Sequence, residues 1–63
     1  MKPKEVKKRL EADGWVEQPG GKTSHRNYKH PAKPGKVQVP FHPGDLNPWT
    51  LKSIEQQSGV SMR

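Results

Sequence analysis

Apolar residues occur in short clusters along the chain, and their spacing predicts five elements of secondary structure. In residues 3–13, Val6 and Leu10 lie four positions apart, on one helical face, with lysines on the opposite side. Pro3 suits the first helical turn, and Gly14 suits the left-handed position that follows the last one. The pattern therefore predicts a first helix over residues 3–13 with a narrow apolar stripe.

Three strands are predicted to follow this helix. The first covers residues 15–18 and ends at a Pro-Gly-Gly turn, and the second covers residues 23–30. The third, residues 36–41, has the clearest pattern, because its two valines and its phenylalanine alternate with lysine, glutamine and proline. Alternation within the second strand places four side chains on one face: Ser24, Arg26, Tyr28 and His30.

A second helix is predicted near the end of the sequence. Asn47 is a suitable N-cap, Pro48 fits the first turn, and Gly59 fits the C-terminal cap. The order α-β-β-β-α predicts an α+β fold with two layers, in which both helices cover one face of a three-stranded antiparallel sheet. The double-stranded-RNA-binding domain has the same order. Nine inward positions should be largely buried: Val6, Leu10, Trp15, Tyr28, Val37, Val39, Phe41, Leu51 and Ile54.

The composition is that of a small basic protein. Its 63 residues, which we expect to form one domain over residues 1–63, include twelve Lys and Arg against six Asp and Glu, a net charge of +6. The absence of cysteine excludes disulfides and thiolate metal sites. No apolar run approaches the roughly 20 residues that span a bilayer, and no signal peptide is recognisable. We therefore expect a cytoplasmic protein without membrane contact.

Three short strings, in the same order as in a known family, carry a resemblance that extends over about residues 4–60. They are TSHRNYKHP (residues 23–31), VQVPFH (37–42) and LNPWTLKSI (46–54). The chain thereby resembles the HicA toxins, small mRNA interferases of type II toxin–antitoxin systems. The resemblance implies a fold of the double-stranded-RNA-binding type, ribosome-independent cleavage of RNA without a cofactor, and a HicB-like antitoxin that occludes the active site. It also implies that His25 is catalytic.

Apart from the resemblance, histidine is a residue type that suits RNA cleavage. RNA carries its own nucleophile, the 2′-hydroxyl, so a nuclease needs a base, an acid and cations around the phosphate. His25 can act as acid or base, although an exposed polar residue at a strand start is the simpler interpretation from sequence alone. His42 is a possible complementary acid, but a loop cap or an antitoxin contact is favoured for it. Ser24 is a second possible site residue.

A metal site and a catalytic role for the third histidine are not expected. His30 precedes a proline and shares a face with Tyr28, which favours a structural role. The histidines are five and twelve residues apart, and these spacings match no compact set of metal ligands.

Basic side chains are the second functional signal. Six are predicted to contact RNA phosphates: Lys4, Lys7, Lys8, Lys22, Arg26 and Lys29. The alternative is a solvated charged face. Either Leu46 or Trp49 is expected to pack inward near the start of the second helix. Among the aromatic residues Trp49 is the one expected at the surface otherwise, where it would suit a partner interface. The favoured function is thus an endoribonuclease toxin, and the alternatives are a non-catalytic RNA-binding module and a small basic protein that binds an acidic partner.

Overall fold

The structure, a computed structural model, describes residues 1–19 and 25–62. Its elements, in chain order, are α1 (Pro3–Ala12), β1 (Val16–Glu17), β2 (His25–Lys29), β3 (Lys36–Pro40) and α2 (Pro48–Ser58). The predicted α+β fold and its α-β-β-β-α order are confirmed. The strands are shorter than predicted, and the predicted start of the second strand at Thr23 lies outside the described residues.

Helix α1 ends one residue earlier than predicted, in a glycine-centred C-terminal cap. Gly14 has φ +104°, the left-handed conformation that glycine adopts without penalty. This turn lets the Gly14 N–H donate to Glu11 O and the Trp15 N–H donate to Leu10 O, each at 3.0 Å. Trp15 and Leu10 are both buried, so the cap also begins the core. Because the Trp15 amide is used in the cap, the first strand begins at Val16 rather than at Trp15.

The three strands form an antiparallel sheet in the order β1-β2-β3, with two distinct faces. Tyr28 lies between Glu17 and Val37, and Arg26 lies opposite Val39. Directly paired residues share a face, so these five side chains lie on the inner face, which both helices cover. The outer face carries the alternate residues of β2 and β3: His25, Asn27, Lys29, Lys36, Gln38 and Pro40.

The core lies between the inner face and the two helices, and seven of the nine predicted core residues are buried. Phe41 and Leu51 are only partly buried, so the prediction is wrong for both. Phe41 follows the last residue of β3 and borders a groove at the surface. Leu51 borders a shallow depression beside Met62. Of the two candidates for packing at the start of the second helix, Leu46 is the buried one. Met62 is buried although no pattern marked it.

Helix α2 has the predicted caps. The Thr50 N–H donates to Asn47 Oδ1 at 2.8 Å, and Gly59 takes the left-handed conformation at φ +73°. Trp49, in the first turn, is 83% exposed, as expected. Among the residues that the structure describes, no helix has both the length and the apolar character of a membrane span.

Candidate active site

A positively charged groove lies where β2 begins, β3 ends and α1 starts. Its volume is about 580 Å³. Four cationic side chains line it, together with an aromatic ring and an imidazole: Lys2, Lys4, Lys7, Arg26, Phe41 and His42. The Leu46 N–H donates to Met1 O at 2.8 Å and so ties the loop after β3 to the segment before α1. The two walls of the groove are therefore held together by backbone.

Arg26 is the most firmly held cation of the groove. Its guanidinium carbon lies over the Phe41 ring, 4.5 Å from the centroid. One guanidinium nitrogen, Nη1, lies 3.3 Å and 3.5 Å from the two carboxylate oxygens of Glu17. The Tyr28 hydroxyl donates to Glu17 Oε1 at 3.1 Å, and Lys7 Nζ lies 3.6 Å from the same oxygen. Glu17 thus neutralises part of the charge of Lys7 and Arg26 and fixes both side chains.

His42 presents one defined ring nitrogen for proton transfer. Its Nδ1 lies 3.0 Å from the Pro43 carbonyl oxygen. A carbonyl can only accept a hydrogen bond, so Nδ1 is assigned the proton and Nε2 remains as the basic nitrogen of the neutral ring. The contact is local to its loop, as a loop cap would be. The ring nevertheless lines the groove, so both interpretations of His42 agree with its position.

His25 lies at the same end of the sheet but on its outer face. It is the first residue of β2, it pairs with Pro40, and it is exposed. Its chain neighbour Arg26 points into the inner face and the groove. Strand pairing places His25 opposite Pro40, which is two positions before His42. The two histidines therefore lie at the same end of the sheet.

Comparison with known proteins identifies the family. The protein-family model described as the HicA toxin of bacterial toxin–antitoxin systems matches residues 3–60, which is nearly the whole chain. The chain belongs to the HicA toxin family. No individual curated protein matches it. Membership of this family supports a toxin role and implies an antitoxin partner.

The predicted basic residues of this HicA-family chain do not form one surface. Lys4, Lys7 and Arg26 line the groove. Lys8 is exposed elsewhere on α1, and Lys29 is exposed on the outer face. Lys22 and Ser24 lie outside the described residues, so both remain sequence predictions.

His30 has the hydrogen bonds of a structural histidine. The Ala32 N–H donates to its Nδ1 at 3.0 Å, so Nε2 carries the proton and donates to Asp13 O at 2.8 Å. Its ring meets the Trp15 ring edge-on, with centroids 5.3 Å apart. Nε2 and the ring therefore join the end of β2 to the end of α1, while Nδ1 binds the loop that follows β2. Within residues 1–19 and 25–62, no three potential metal-ligating side chains come together.

Lys2 and Glu17 are site residues that the sequence interpretation missed, and Glu17 is the more informative of the two. It is an acidic residue at an inward-facing position of a strand, and this is the signal that could have marked it. Partial burial alone would raise its pKa. Hydrogen bonds from Tyr28 and Arg26, with the charge of Lys7, outweigh burial and lower the pKa of Glu17 below its usual 4.5. Burial and the bond to Glu17 together raise the pKa of Tyr28, which keeps its hydroxyl a donor.

Two carboxylates with lowered pKa values, those of Glu17 and Asp13, lead us to expect that the protein loses stability in acid. The hydrogen bond from Lys33 Nζ, at 2.6 Å, lowers the pKa of Asp13 below 3.8. A carboxylate whose pKa is lower in the folded than in the unfolded state stabilises the fold above its unfolded pKa. That stabilisation disappears as the pH falls through the folded pKa. The free energy of unfolding should therefore decline below pH 4.5 and continue to fall below pH 3.8.

Urea denaturation over this pH range measures the effect. Glu17→Gln should remove part of the decline, because an amide does not titrate. Glu11→Gln changes an exposed carboxylate of α1 and should leave the decline intact. If the free energy of unfolding of the parent protein stayed the same as the pH fell below 4.5, the ionised state of Glu17 and its contacts would be contradicted.

Proposed function

We propose that this HicA-family protein is an mRNA interferase, an endoribonuclease that needs no metal ion, with His25 as its catalytic acid or base. One observation carries the proposal. Two histidines, His25 and His42, lie at the same end of the sheet, and a groove lined by four cations opens there. Imidazoles transfer protons near neutral pH, and cations stabilise the negative charge that develops on a phosphate in the transition state.

The proposed reaction uses the 2′-hydroxyl of the substrate as nucleophile. One imidazole accepts the 2′-hydroxyl proton as the oxygen attacks the adjacent phosphorus. The bond from phosphorus to the 5′-oxygen breaks, and an acid delivers a proton to that oxygen. The products are a 2′,3′-cyclic phosphate and a 5′-hydroxyl. His25 serves as one partner, and Nε2 of His42 is the natural candidate for the other, with Ser24 as a further predicted site residue.

Arg26 and Lys4 supply the charge stabilisation in this proposal. Both line the groove, and Arg26 is held in one orientation by Glu17 and Phe41. An oriented cation need not reorganise as negative charge grows on the phosphorane oxygens, so its interaction strengthens in the transition state. The antitoxin that the family implies is proposed to be HicB-like and to cover this groove, and the proposed place of action is the cytoplasm, where mRNA is found.

Neutralising a groove lysine should weaken RNA binding without changing sequence preference. Lys4 is exposed and lines the groove, so we expect Lys4→Gln to lower affinity similarly for all single-stranded RNAs. Because each phosphate contact releases counterions, the slope of log affinity against log salt should fall by about 0.7 per lost contact. Fluorescence anisotropy titrations at several salt concentrations provide both values.

Lys52→Gln is the matched control for this measurement. Lys52 is an exposed lysine on α2, and it lines a different depression beside Trp49. The same charge is lost, but the groove is untouched, so affinity and slope should stay near those of the parent. Equal effects of the two substitutions would mean that RNA is held by the net charge rather than by the groove.

A cleavage assay in the presence of a chelator separates the candidate functions. The purified protein is incubated with a long RNA, and the RNA length is followed on a denaturing gel. Shortened RNA is the result expected for an endoribonuclease. RNA that is bound but intact would identify a non-catalytic binding module of the same fold. RNA that is neither bound nor cut would favour a basic protein that acts on an acidic partner.

A further inference from the structure

The Arg26 guanidinium lies over an aromatic ring and borders the groove. Its central carbon is 4.5 Å from the centroid of the Phe41 ring. The side chain remains 40% exposed and lines the groove. Only Nη1 contacts Glu17, so Nε and Nη2 have no partner among residues 1–19 and 25–62. Arg26 thus presents both a planar surface and in-plane donors to the groove.

This guanidinium is oriented before any ligand binds. Glu17 holds Nη1, and Glu17 is itself held by the Tyr28 hydroxyl at 3.1 Å and by Lys7 at 3.6 Å. Tyr28 is fully buried, so the arrangement is anchored in the core. A long, flexible cation normally loses conformational freedom when it binds a ligand, and prior orientation reduces that cost. The same contacts hold a planar group in place, and a planar guanidinium can stack on a flat ligand as well as bind an anion.

We propose that Arg26, backed by Phe41, is a stacking platform for one unpaired nucleobase of a single-stranded RNA. The inference rests on the proposed function, and it adds the class of RNA that the groove accepts. Planar guanidinium groups stack on the faces of unpaired bases, and every base offers such a face. The base would lie on the side of Arg26 opposite Phe41, while Lys2 and Lys4 contact the flanking phosphates. A duplex cannot use this platform, because its bases are already stacked on one another.

Glu17 is the positioning residue of the platform. It contacts Arg26 and no part of the proposed base, and it keeps the guanidinium over Phe41 by holding Nη1. This explains why a cationic groove contains an acidic side chain at its inner edge. A groove that acted only by net charge would gain from the loss of Glu17, whereas a platform would lose its orientation.

The test compares single-stranded and duplex RNA in a protein whose cleavage activity is lowered. All variants carry His25→Ala, which is expected to slow cleavage, and a denaturing gel confirms that the probes stay intact during the titration. The probes are a labelled short oligoadenylate and a labelled RNA duplex of the same length, titrated by fluorescence anisotropy. Arg26→Lys keeps the charge but lacks the planar group. It should weaken binding of the oligoadenylate about tenfold, the typical value of one stacked base, and leave duplex binding nearly unchanged.

Three further variants make the result specific. Lys4→Gln removes a phosphate contact and should weaken binding of both probes by the same factor. Phe41→Leu removes the aromatic backing while Arg26 remains, so it should reduce oligoadenylate binding selectively, and it replaces Arg26→Lys if that variant does not fold. Glu17→Gln should also affect the oligoadenylate selectively, and tighter binding of both probes by this variant would contradict its positioning role.

The outcomes distinguish the platform from the proposed nuclease. Equal losses on the two probes for both Arg26→Lys and Phe41→Leu would overturn the platform and leave the nuclease standing. Selective losses, in a protein whose intact His25 form cuts no RNA, would support the platform and overturn the nuclease. A protein that binds neither probe would overturn both.

Discussion

Replacing His25 with alanine is expected to slow RNA cleavage by about 10²–10⁴-fold, the usual contribution of a positioned acid or base. The substitution removes an exposed side chain from the outer face at the first residue of β2. Arg26 and its contacts with Glu17 and Phe41 lie on the other face and stay in place. RNA affinity should therefore change little while the rate of the chemical step falls.

The measurement is the initial rate of cleavage of a long RNA with chelator present, at matched circular dichroism. Gln38→Ala is the control, because Gln38 is also an exposed residue of the outer face, on the neighbouring strand β3. It should cut at the parental rate. A folded His25→Ala protein that also cuts at the parental rate would remove His25 from the mechanism.

Trp15→Ala is expected to destabilise the protein by about 3–5 kcal/mol, the range for deletion of a large buried aromatic side chain. Trp15 is 1% exposed, it contacts the end of α1 through the cap, and its ring packs edge-on against His30. Truncation therefore leaves a cavity where α1, β1 and the loop after β2 meet. Below about 70–80 residues a single core rarely supplies more than about 3–5 kcal/mol of stability, so most of it should be lost.

Urea denaturation followed by circular dichroism measures this loss. Val16→Ala, at the next position, is the matched control, because Val16 is 57% exposed. Its substitution should lower the free energy of unfolding only slightly. Similar losses from the two substitutions would contradict the assignment of Trp15 to the core.

The parts of the fold that could be predicted from the sequence are those fixed by local chemistry. Gly14, Asn47 and Gly59 end or begin helices through contacts within a few residues, so residue type alone located them. The buried valines of β3 followed from strict alternation. Phe41 continued the same alternation but not the same burial, because β3 ends at Pro40 and Phe41 borders the groove. Periodicity indicates a face and does not show how far the sheet extends.

The candidate site was less predictable, since its geometry depends on contacts between distant elements. The sequence identified the residue types for proton transfer, His25 and His42, and most of the cations. It could not reveal that Glu17 meets Arg26, because that contact depends on the register between β1 and β2. Met62 was missed for a similar reason, because no periodic pattern marks it as a buried residue.

The chemical nature of the cleaved ends tests the central claim most directly. A defined RNA is incubated with the purified protein and a chelator, and the new termini are analysed by mass spectrometry. The proposed attack by the 2′-hydroxyl predicts a 2′,3′-cyclic phosphate on one fragment and a 5′-hydroxyl on the other. A 5′-phosphate with a 3′-hydroxyl would show a nuclease of different chemistry, and RNA left intact would contradict the assignment of nuclease activity.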